Sequence, residues 1–598
     1  MKLTEKIKKL FLEAIHEHPF SIILFFIGCV VWSINTGFDY SSEKINYLEL
    51  VMIIFFGGSL GTLLSEAIHL YRKDFEGYNL KVPVNIAIYG GITLISALCV
   101  IPQWLLNNVE SWMDKCGDAL DGYASLTMYI AIFVIVTVCT LTIYFFYKKS
   151  KESFETYVAK AFCGCMKAEL LYLIVALGVL LVLAIFDTLI FSGNNFDLIE
   201  HVEIIVIGLV QFPCLIIGLT KTEEPLGKFA KGILTYVFTS LTAIAFLIIY
   251  IYIFKIIFSL DLPSNEVFEI LTWLFFFGVI IWTMAQGCED ENLQKFFRIF
   301  PFLFVPCIIL QIICVAMRIS EYGFTISRYF GLALIIFEII YYVIYTIKFI
   351  RKKDIVSNML FVIIAASFIV FFVPGLSAES AITNSQKQAI NRYLELGNKS
   401  NKDVKLRANS AYHTISNSGG LAGYNYLYKT LSKEELEKVK ALSNSYGESY
   451  DSTTDEYIND VSNDSDTGVI EINVTADNNS SSINLDGYTQ LFYPTLVNDQ
   501  IYLDENSGID NLEAIMVEMR GEELGTVDLK DTIYKLANLS RESNTYNGPE
   551  FDEVISQPID LSAGGKFIVT NIGIYGTYDN STKEYRFESI SIDGFVLK

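Results

Sequence analysis

Residues 296–329 read FFRIFPFLFVPCIILQIICVAMRISEYGFTISRY, and this stretch decides the fold. It opens on Arg298 and two prolines, continues as an uncharged apolar run, and ends in a polar segment at residues 318–329. About 20 consecutive apolar residues are enough to cross about 30 Å of hydrocarbon as a helix. The stretch therefore predicts a membrane-spanning helix whose end carries a group of polar side chains at the membrane boundary.

Similar apolar runs occur on both sides of this stretch. The chain has 598 residues, 52% of them hydrophobic, its mean hydropathy is +0.41, and the apolar residues are concentrated before about Pro374. Eleven runs are long enough to span a membrane, at 19–36, 48–70, 84–106, 127–147, 170–191, 202–219, 233–258, 267–284, 300–317, 329–347 and 359–374. We predict an α-helical polytopic membrane bundle of about 11 transmembrane helices, followed by a soluble α+β extracytoplasmic domain.

The basic residues are distributed unequally between the connections, which predicts the orientation of the chain. With a cytoplasmic N-terminus, the connections on that side carry 21 Lys and Arg, and the opposite side carries 4. Because the number of spans is odd, the C-terminal region is then extracytoplasmic. No small-residue cleavage site follows the first apolar run, so we expect an uncleaved first helix.

The polar part of the chain suggests three divisions: a transmembrane helical domain (1–375), a helical connecting segment with an acidic linker (376–464), and a β-rich α+β domain (465–598). Helical patterns cover 386–396 and begin again at Ser432, which forms a capping-box pattern with Glu435. Strands are predicted at 470–474, 489–493, 500–503, 513–519, 567–578 and 585–597, with a helix at 529–539. Residues 376–598 have a net charge of −17, which argues against nucleic acid as a partner.

The polar segment contains a candidate anion-binding site. Arginines cluster where phosphates or carboxylates are held, and Arg318 and Arg328 flank the segment. Tyr322 and Tyr329 would line the pocket, and Gly323 would let the backbone turn. In the alternative interpretation, Arg318 pairs with a nearby glutamate, Glu321 or Glu338, and the tyrosines belong to the interfacial aromatic belt.

Glu66, Asp187 and Glu338 lie within or near the ends of predicted spans, where ionisable residues often mark ion or substrate paths. Glu338 is nine residues into its run and is the best candidate for a buried acid, whereas the other two could reach water. The small residues 57–61 (GGSLG) indicate close helix approach. No metal site and no catalytic residue is predicted. No Walker A, Rossmann, HExxH or CxxC motif occurs, so any cofactor is unknown.

Two stretches resemble one known family. Phe297-Arg-Ile-Phe-Pro301 leads through one span to Arg318-Ile-Ser-Glu-Tyr-Gly-Phe-Thr-Ile-Ser-Arg-Tyr329, and the pattern is similar to the signature of the bacterial DUF4153 family of membrane proteins. Residues 374–394 resemble the stretch after that family's last span, where a Ser-Gln pair leads into a helix. The resemblance implies a polytopic bacterial membrane protein, and we expect it in the cytoplasmic membrane. It implies no catalytic residue, because the family's function is not established.

Three functions fit these observations. The first is a non-enzymatic protein that binds or translocates an anionic envelope component, such as a lipid head group or a polymer precursor, at the outer face. The second is a membrane-anchored scaffold or sensor whose external domain recognises an envelope protein or polymer. The third is a membrane transferase that acts on a lipid-linked substrate. We rank this function last because no group of residues suited to act as base, metal ligand or nucleophile is visible. In all three, the lipid bilayer is a partner.

Overall fold

The computed structural model describes residues 11–37, 43–73, 82–108, 120–186, 196–220, 226–259, 265–288, 297–352, 355–446, 450–451, 456–457, 467–475, 491–492, 495–496, 500–502, 515–519, 522–543, 551, 554–579 and 584–598. The chain divides into two compact units, Met1–Ile458 and Asn459–Lys598. The division into three parts remains a prediction.

The first unit is helical throughout most of its described length. Its helices are α1 (Phe11–Glu17), α2 (Pro19–Asn35), α3 (Glu43–Lys73), α4 (Val82–Leu98), α5 (Ile101–Asn108), α6 (Leu120–Ser150), α7 (Phe154–Phe186), α8 (Phe196–Val206), α9 (Phe212–Thr220), α10 (Lys228–Gly232), α11 (Phe238–Ser259), α12 (Asn265–Gln286), α13 (Val305–Tyr322), α14 (Ile326–Arg351), α15 (Met359–Phe372), α16 (Ala378–Leu396), α17 (Lys402–Ser418), α18 (Gly420–Tyr424) and α19 (Lys433–Tyr446). Single π-helical turns join α8 to α9 and α10 to α11, and the 3₁₀ turn Phe300–Phe304 precedes α13.

In the part of the chain that the structure describes, nine helices are long and apolar enough to cross a membrane. The pair α1 and α2, bent by 101°, adds a tenth candidate, and Val356–Phe372 is a shorter apolar helix. Each of the eleven predicted runs overlaps one of these helices. The chain is therefore a multi-pass membrane protein, as predicted, and the number eleven is approximate.

Small residues bring α3 and α4 together. A Cβ on Gly57 would lie 2.5 Å from the Ser96 carbonyl oxygen, and a Cβ on Gly61 would lie 2.7 Å from Ser96 Cβ. The Ser96 hydroxyl donates a hydrogen bond to the Gly57 carbonyl over 2.7 Å. The interpretation of residues 57–61 as a close helix contact is confirmed.

Helices α16 to α19 form a helical module after the last apolar helix. Its core contains Ile390, Ala411, Ile415, Leu427 and Val439. The predicted capping box is confirmed, because Glu435 accepts from the Ser432 amide at 2.9 Å and the Glu435 amide donates to the Ser432 hydroxyl at 3.3 Å. Helix α17 was not among the predicted elements, although Ala408, Ala411 and Ile415 lie at helical spacing and are buried.

Within its described residues, the second unit combines two antiparallel sheets with the helix Lys530–Ser543. The strands of the chain are β1 (Tyr450–Asp451), β2 (Glu456–Tyr457), β3 (Thr467–Thr475), β4 (Leu491–Phe492), β5 (Thr495–Leu496), β6 (Gln500–Tyr502), β7 (Ile515–Met519), β8 (Glu522–Val527), β9 (Ile559–Asp560), β10 (Lys566–Asp579) and β11 (Glu584–Leu597), and the helix is α20 (Lys530–Ser543). The larger sheet has the order β3-β10-β11-β4, with β6 on β11 and β9 on β10, and the smaller has the order β5-β7-β8.

The β10–β11 hairpin forms the centre of the larger sheet. Its strands pair from Lys566 opposite Leu597 to Asp579 opposite Glu584. Alternate side chains of both strands, such as Ile572 and Ile590, join residues of α20 in one hydrophobic core. The predicted α+β character of this region is therefore confirmed, and β5, β8 and β9 are additional strands.

Candidate functional site

The polar segment forms a tight link between α13 and α14. Helix α13 ends at Tyr322, and Gly323 follows with φ +78°. This left-handed region is strained for residues with a side chain, and it suits glycine at the end of a helix. Thr325 is extended and buried, and α14 begins directly after it. The link therefore turns the chain within three residues.

Two side chains of α16 hold the backbone of this link. The Phe324 amide donates to the Ser385 hydroxyl at 3.0 Å, and the Gln386 side-chain amide donates to the Phe324 carbonyl at 2.8 Å. A Cβ on Gly323 would lie 2.7 Å from Ser385 Oγ, so glycine is required by space as well as by φ. The Ser-Gln pair and the polar segment, which the family resemblance had picked out separately, are in direct contact.

Arg328 and Tyr329 also bind main-chain atoms. Arg328 is only 7% exposed, and its guanidinium donates to the Gly323 carbonyl over 3.4 Å. The Tyr329 hydroxyl donates to the Leu376 carbonyl, just before α16. We call residues 323–329 together with Leu376, Ser385 and Gln386 the joint. Two of the four predicted anion-binding residues therefore have structural partners within the joint.

The other two predicted anion-binding residues lie on α13. Arg318 is half-buried, and its guanidinium forms no hydrogen bond or ion pair with another described residue. Tyr322 is the last residue of α13, and its side chain, like that of Glu321, lies outside the described residues. The alternative pairing of Arg318 with Glu338 is not present among the described contacts, because Glu338 bonds to Gln311 instead. Anion binding by Arg318, Tyr322, Arg328 and Tyr329 remains a prediction.

One glutamate, Glu379, lies next to the joint in the first turn of α16. Glu379 Oε2 accepts from the Leu421 amide at 3.2 Å, near the N-terminus of α18. Gly420, with φ +50°, lies directly against this carboxyl and leaves no space for a Cβ. Burial raises the pKa of Glu379 to about 7, although the hydrogen bond from Leu421 lowers it. Glu379 is therefore able to change charge near neutral pH.

Glu66 is a helix cap in the structure. Its Oε1 accepts from the Phe20 amide at 3.0 Å and the Ser21 amide at 3.3 Å, at the N-terminus of α2. Its Oε2 accepts from the Ser21 hydroxyl at 2.7 Å and lies 3.3 Å from His18 Nδ1. These donors satisfy the free amides of a helix start and stabilise the bend between α1 and α2. Asp187 lies outside the described residues.

Glu338 lies inside the bundle, as the sequence predicted. It is 0% exposed, and its Oε1 accepts from Gln311 Nε2 at 3.3 Å. Gln311 on α13 is also fully buried. Among the described residues, no group of three His, Cys, Asp or Glu side chains is arranged to hold a metal ion.

Comparison with known proteins agrees with this geometry. A family model described as a domain of unknown function, DUF4153, matches residues 87–404. The chain belongs to the DUF4153 family. The DUF4153 segment includes the joint and the Glu338–Gln311 pair, whereas Glu66 and the second unit lie outside it. No curated protein and no solved structure matches this DUF4153 chain.

Three features of this DUF4153 protein were not predicted as parts of a site: Gln311, the pair Ser385 and Gln386, and Glu379. Gln311 is the one amide in the apolar run 299–317, and this polar exception was a signal that a partner lies nearby. Ser385 and Gln386 were noted only for their family resemblance. Glu379 carried no signal, because an acidic residue in the first turn of a helix is ordinary.

Proposed function

We propose that this DUF4153 protein is a membrane-anchored scaffold or sensor, in which the helical module α16–α19 reports to the membrane bundle through the joint. One observation carries the proposal: Ser385, Gln386 and Arg328 make hydrogen bonds to main-chain atoms of the link between α13 and α14, and Tyr329 makes one to the Leu376 carbonyl before α16. Side chains that hold backbone atoms limit movement of the link relative to α16. A displacement of the module is therefore passed to α13 and α14.

The module has the properties of a recognition element. Its helices share a core of their own, and α18 is fixed to α16 by the bond between Leu421 and Glu379. Residues 376–446 carry ten Lys and Arg against six Asp and Glu, a net charge of +4. This charge favours an anionic partner, such as an envelope polymer or an acidic protein surface.

The proposal includes the location of the protein and its orientation in the membrane. We place the protein in the bacterial cytoplasmic membrane with a cytoplasmic N-terminus, because 21 of the Lys and Arg in the connections then lie inside and 4 lie outside. The module and the C-terminal unit are then extracytoplasmic. Topology reporters fused after Lys352 and after Leu396 test this orientation, and a cytoplasmic signal from the second fusion would contradict it.

The scaffold proposal is tested by site-specific photocrosslinking in cells that express the full chain. A photoreactive residue is placed at Lys402 or Tyr428 on the surface of the module, and at Ile350 near the end of α14 as a control. We expect one discrete adduct with an envelope component from the module positions alone. Adducts of equal pattern from Ile350, or none from the module, would overturn the proposal.

Anion binding is a second candidate, because the half-buried Arg318 guanidinium has no partner among the described residues. A guanidinium in this position suits a phosphate or a lipid head group. We expect Arg318→Ala to reduce binding of phosphatidylglycerol to the full-length protein in nanodiscs by about tenfold, since a charged hydrogen bond contributes about 1.5–3 kcal/mol. Arg298→Ala, at the other end of the same span, is the control, and equal effects of both variants would exclude a specific site.

A further inference from the structure

Glu338 and Gln311 place two polar side chains at the middle of two spans. Gln311 lies within the span Phe297–Ser320 and Glu338 within Ile326–Arg351, each about halfway along. Both side chains are 0% exposed. The hydrophobic cluster around them includes Phe304, Ile308 and Ile335. A carboxyl group at this depth is costly and is usually functional.

One hydrogen bond joins Gln311 and Glu338, and one oxygen of each side chain remains without a donor among the described residues. Gln311 Nε2 donates to Glu338 Oε1 at 3.3 Å. Glu338 Oε2 and Gln311 Oε1 are both buried, and neither has a hydrogen-bond partner in the part of the chain that the structure describes. A buried acceptor without a donor is destabilising, and more so when it carries charge. Two such atoms on one bonded pair point to something that binds there.

The surroundings supply no positive charge and no spare donor from the described residues. No described basic side chain forms an ion pair with Glu338. The titratable groups that face it are Cys307 on α13 and Tyr342 on α14. The Tyr342 hydroxyl already donates to the Pro301 carbonyl at 2.9 Å.

The other helices packed against α13 and α14 likewise provide no charged partner for the pair among their described residues. Helix α12 contributes Phe275 and Trp282, and the Trp282 indole donates to Tyr341 at 2.7 Å. Helix α15 has no titratable residue. Helix α16 packs at the far end of α14, where Tyr329 donates to Leu376. The two free oxygens therefore have no donor among the described residues.

We propose that Glu338 and Gln311 form a proton-binding site in the interior of the membrane bundle. A hydronium ion gives up a proton and becomes water, and this proton adds to a lone pair of Glu338 Oε2 and forms an O–H bond, with no bond broken in the protein. This O–H donates to Gln311 Oε1, while the existing N–H donates to Glu338 Oε1. Acid and amide then share two hydrogen bonds, so one proton satisfies both free oxygens and removes the buried charge.

The site is connected to the joint along one helix face. Arg328, Gly331, Ile335, Glu338 and Tyr342 recur at intervals of three and four residues and are all buried. Ten residues separate Arg328 from Glu338, which is about 15 Å along a helix. The inference stands independently of the scaffold proposal, and it adds a chemical input that the bundle could sense.

Infrared spectroscopy of the full-length protein in nanodiscs tests the proposal. We expect a C=O stretching band of a protonated carboxyl at neutral pH. Glu338→Gln should remove the part of the band that remains in Glu379→Gln, because Glu379, with a pKa of about 7, is also partly protonated at this pH. Gln311→Leu should shift the band to higher frequency, because the carboxyl loses its amide partner. Labelling wild-type glutamate with carbon-13 should shift the same band to lower frequency, which provides a readout that needs no variant.

The control is Glu434→Gln on the exposed helix α19, where the hydrogen bond from Lys438 lowers the pKa of Glu434. This variant should leave the band unchanged. Absence of a band that depends on Glu338 would overturn the proposal. Loss of the band on adding Na⁺ at constant pH would also overturn it, and would identify the site as one for an alkali cation.

Discussion

Three glutamate side chains of this protein differ in the hydrogen-bond donors that they receive. Glu66 receives two backbone amides and a hydroxyl at the start of α2. Glu379 receives one amide, from Leu421. Glu338 receives one side-chain amide inside the bundle. The number of donors decides whether the carboxyl supports a helix end or remains available for chemistry, and residue type alone does not reveal it.

Glu379 makes the stability of the helical module depend on pH. Its folded pKa of about 7 lies above the ordinary glutamate pKa of 4.5, so the folded state binds more protons than the unfolded state between these values. Stability therefore falls as pH rises from about 4.5 to about 7, by about 1 kcal/mol after allowance for the part of the side chain that water reaches. We expect the thermal midpoint of the full-length protein to fall over this range.

The matched variant is Glu379→Gln, which keeps the shape of the side chain and cannot ionise. It should flatten the pH dependence and raise the midpoint above that of the wild type at about pH 8. A pH profile of the variant that is parallel to the wild type would show that another group is responsible.

At the scale of elements, the joint is where helices of different character meet. α13 and α14 are apolar spans, whereas α16 is a polar helix. These hydrogen bonds are made with main-chain atoms of Gly323 and Phe324. They therefore do not depend on the side chain of Phe324. The joint therefore depends on the glycine and on the Ser-Gln pair.

Gly323→Ala should weaken the joint in two ways. It forces a side chain into a left-handed conformation, and its Cβ would lie 2.7 Å from Ser385 Oγ. We expect a loss of about 1–3 kcal/mol in stability and faster hydrogen exchange of the Phe324 amide. Mass spectrometry of exchange in the full-length protein measures the second effect.

Gly375 provides the matched control for this experiment. Its φ of +80° is nearly the same, but nothing lies within 4 Å of the site where its Cβ would be. Gly375→Ala thus carries the conformational cost of about 1 kcal/mol alone. Equal losses in the two variants would show that the contact with Ser385 does not matter.

The elements could be predicted more fully than the joint. A membrane requires long uncharged runs, so every predicted span overlaps a helix. The capping box of Ser432 is local and was also predictable. By contrast, Phe324 and Ser385 are 61 positions apart, and only the path of the chain brings them together. Helix α17 was missed because its buried face consists mainly of alanines and polar residues, with Ile415 as its one large apolar side chain.

At the scale of the whole molecule, charge separates the parts of the chain after the last span. Residues 376–446 carry +4, whereas residues 447–598 carry eight Lys and Arg against twenty-nine Asp and Glu, a net of −21. The net charge of −17 over the whole region therefore conceals two segments of opposite sign. A single partner of one sign is suited to only one of them.

The second unit should fold in isolation. It has its own core, which includes Val517, Leu536, Phe567, Ile572 and Val596, and it contains no cysteine. We expect a fragment of residues 459–598 to unfold cooperatively on heating, with a circular dichroism spectrum dominated by strands and no change under reducing conditions. A chain of about this length buries enough surface for independent stability.

Ile572→Asp is the control for this fragment. The substitution places a charge on a fully buried position of β10 and should abolish the transition. If the wild-type fragment lacks a cooperative transition, the unit requires the rest of the chain.

The depth of Glu338 has an electrical consequence. A proton that reaches the middle of a span from either face crosses about half of the membrane potential. At 100 mV this amounts to about 1.2 kcal/mol, or about sevenfold in occupancy. The direction depends on which face supplies the proton, because entry from the positive side is favoured and entry from the negative side is opposed. A bundle with this acid at its centre would therefore respond to membrane voltage as well as to acidity, and dissipating the potential would change its protonation at constant pH.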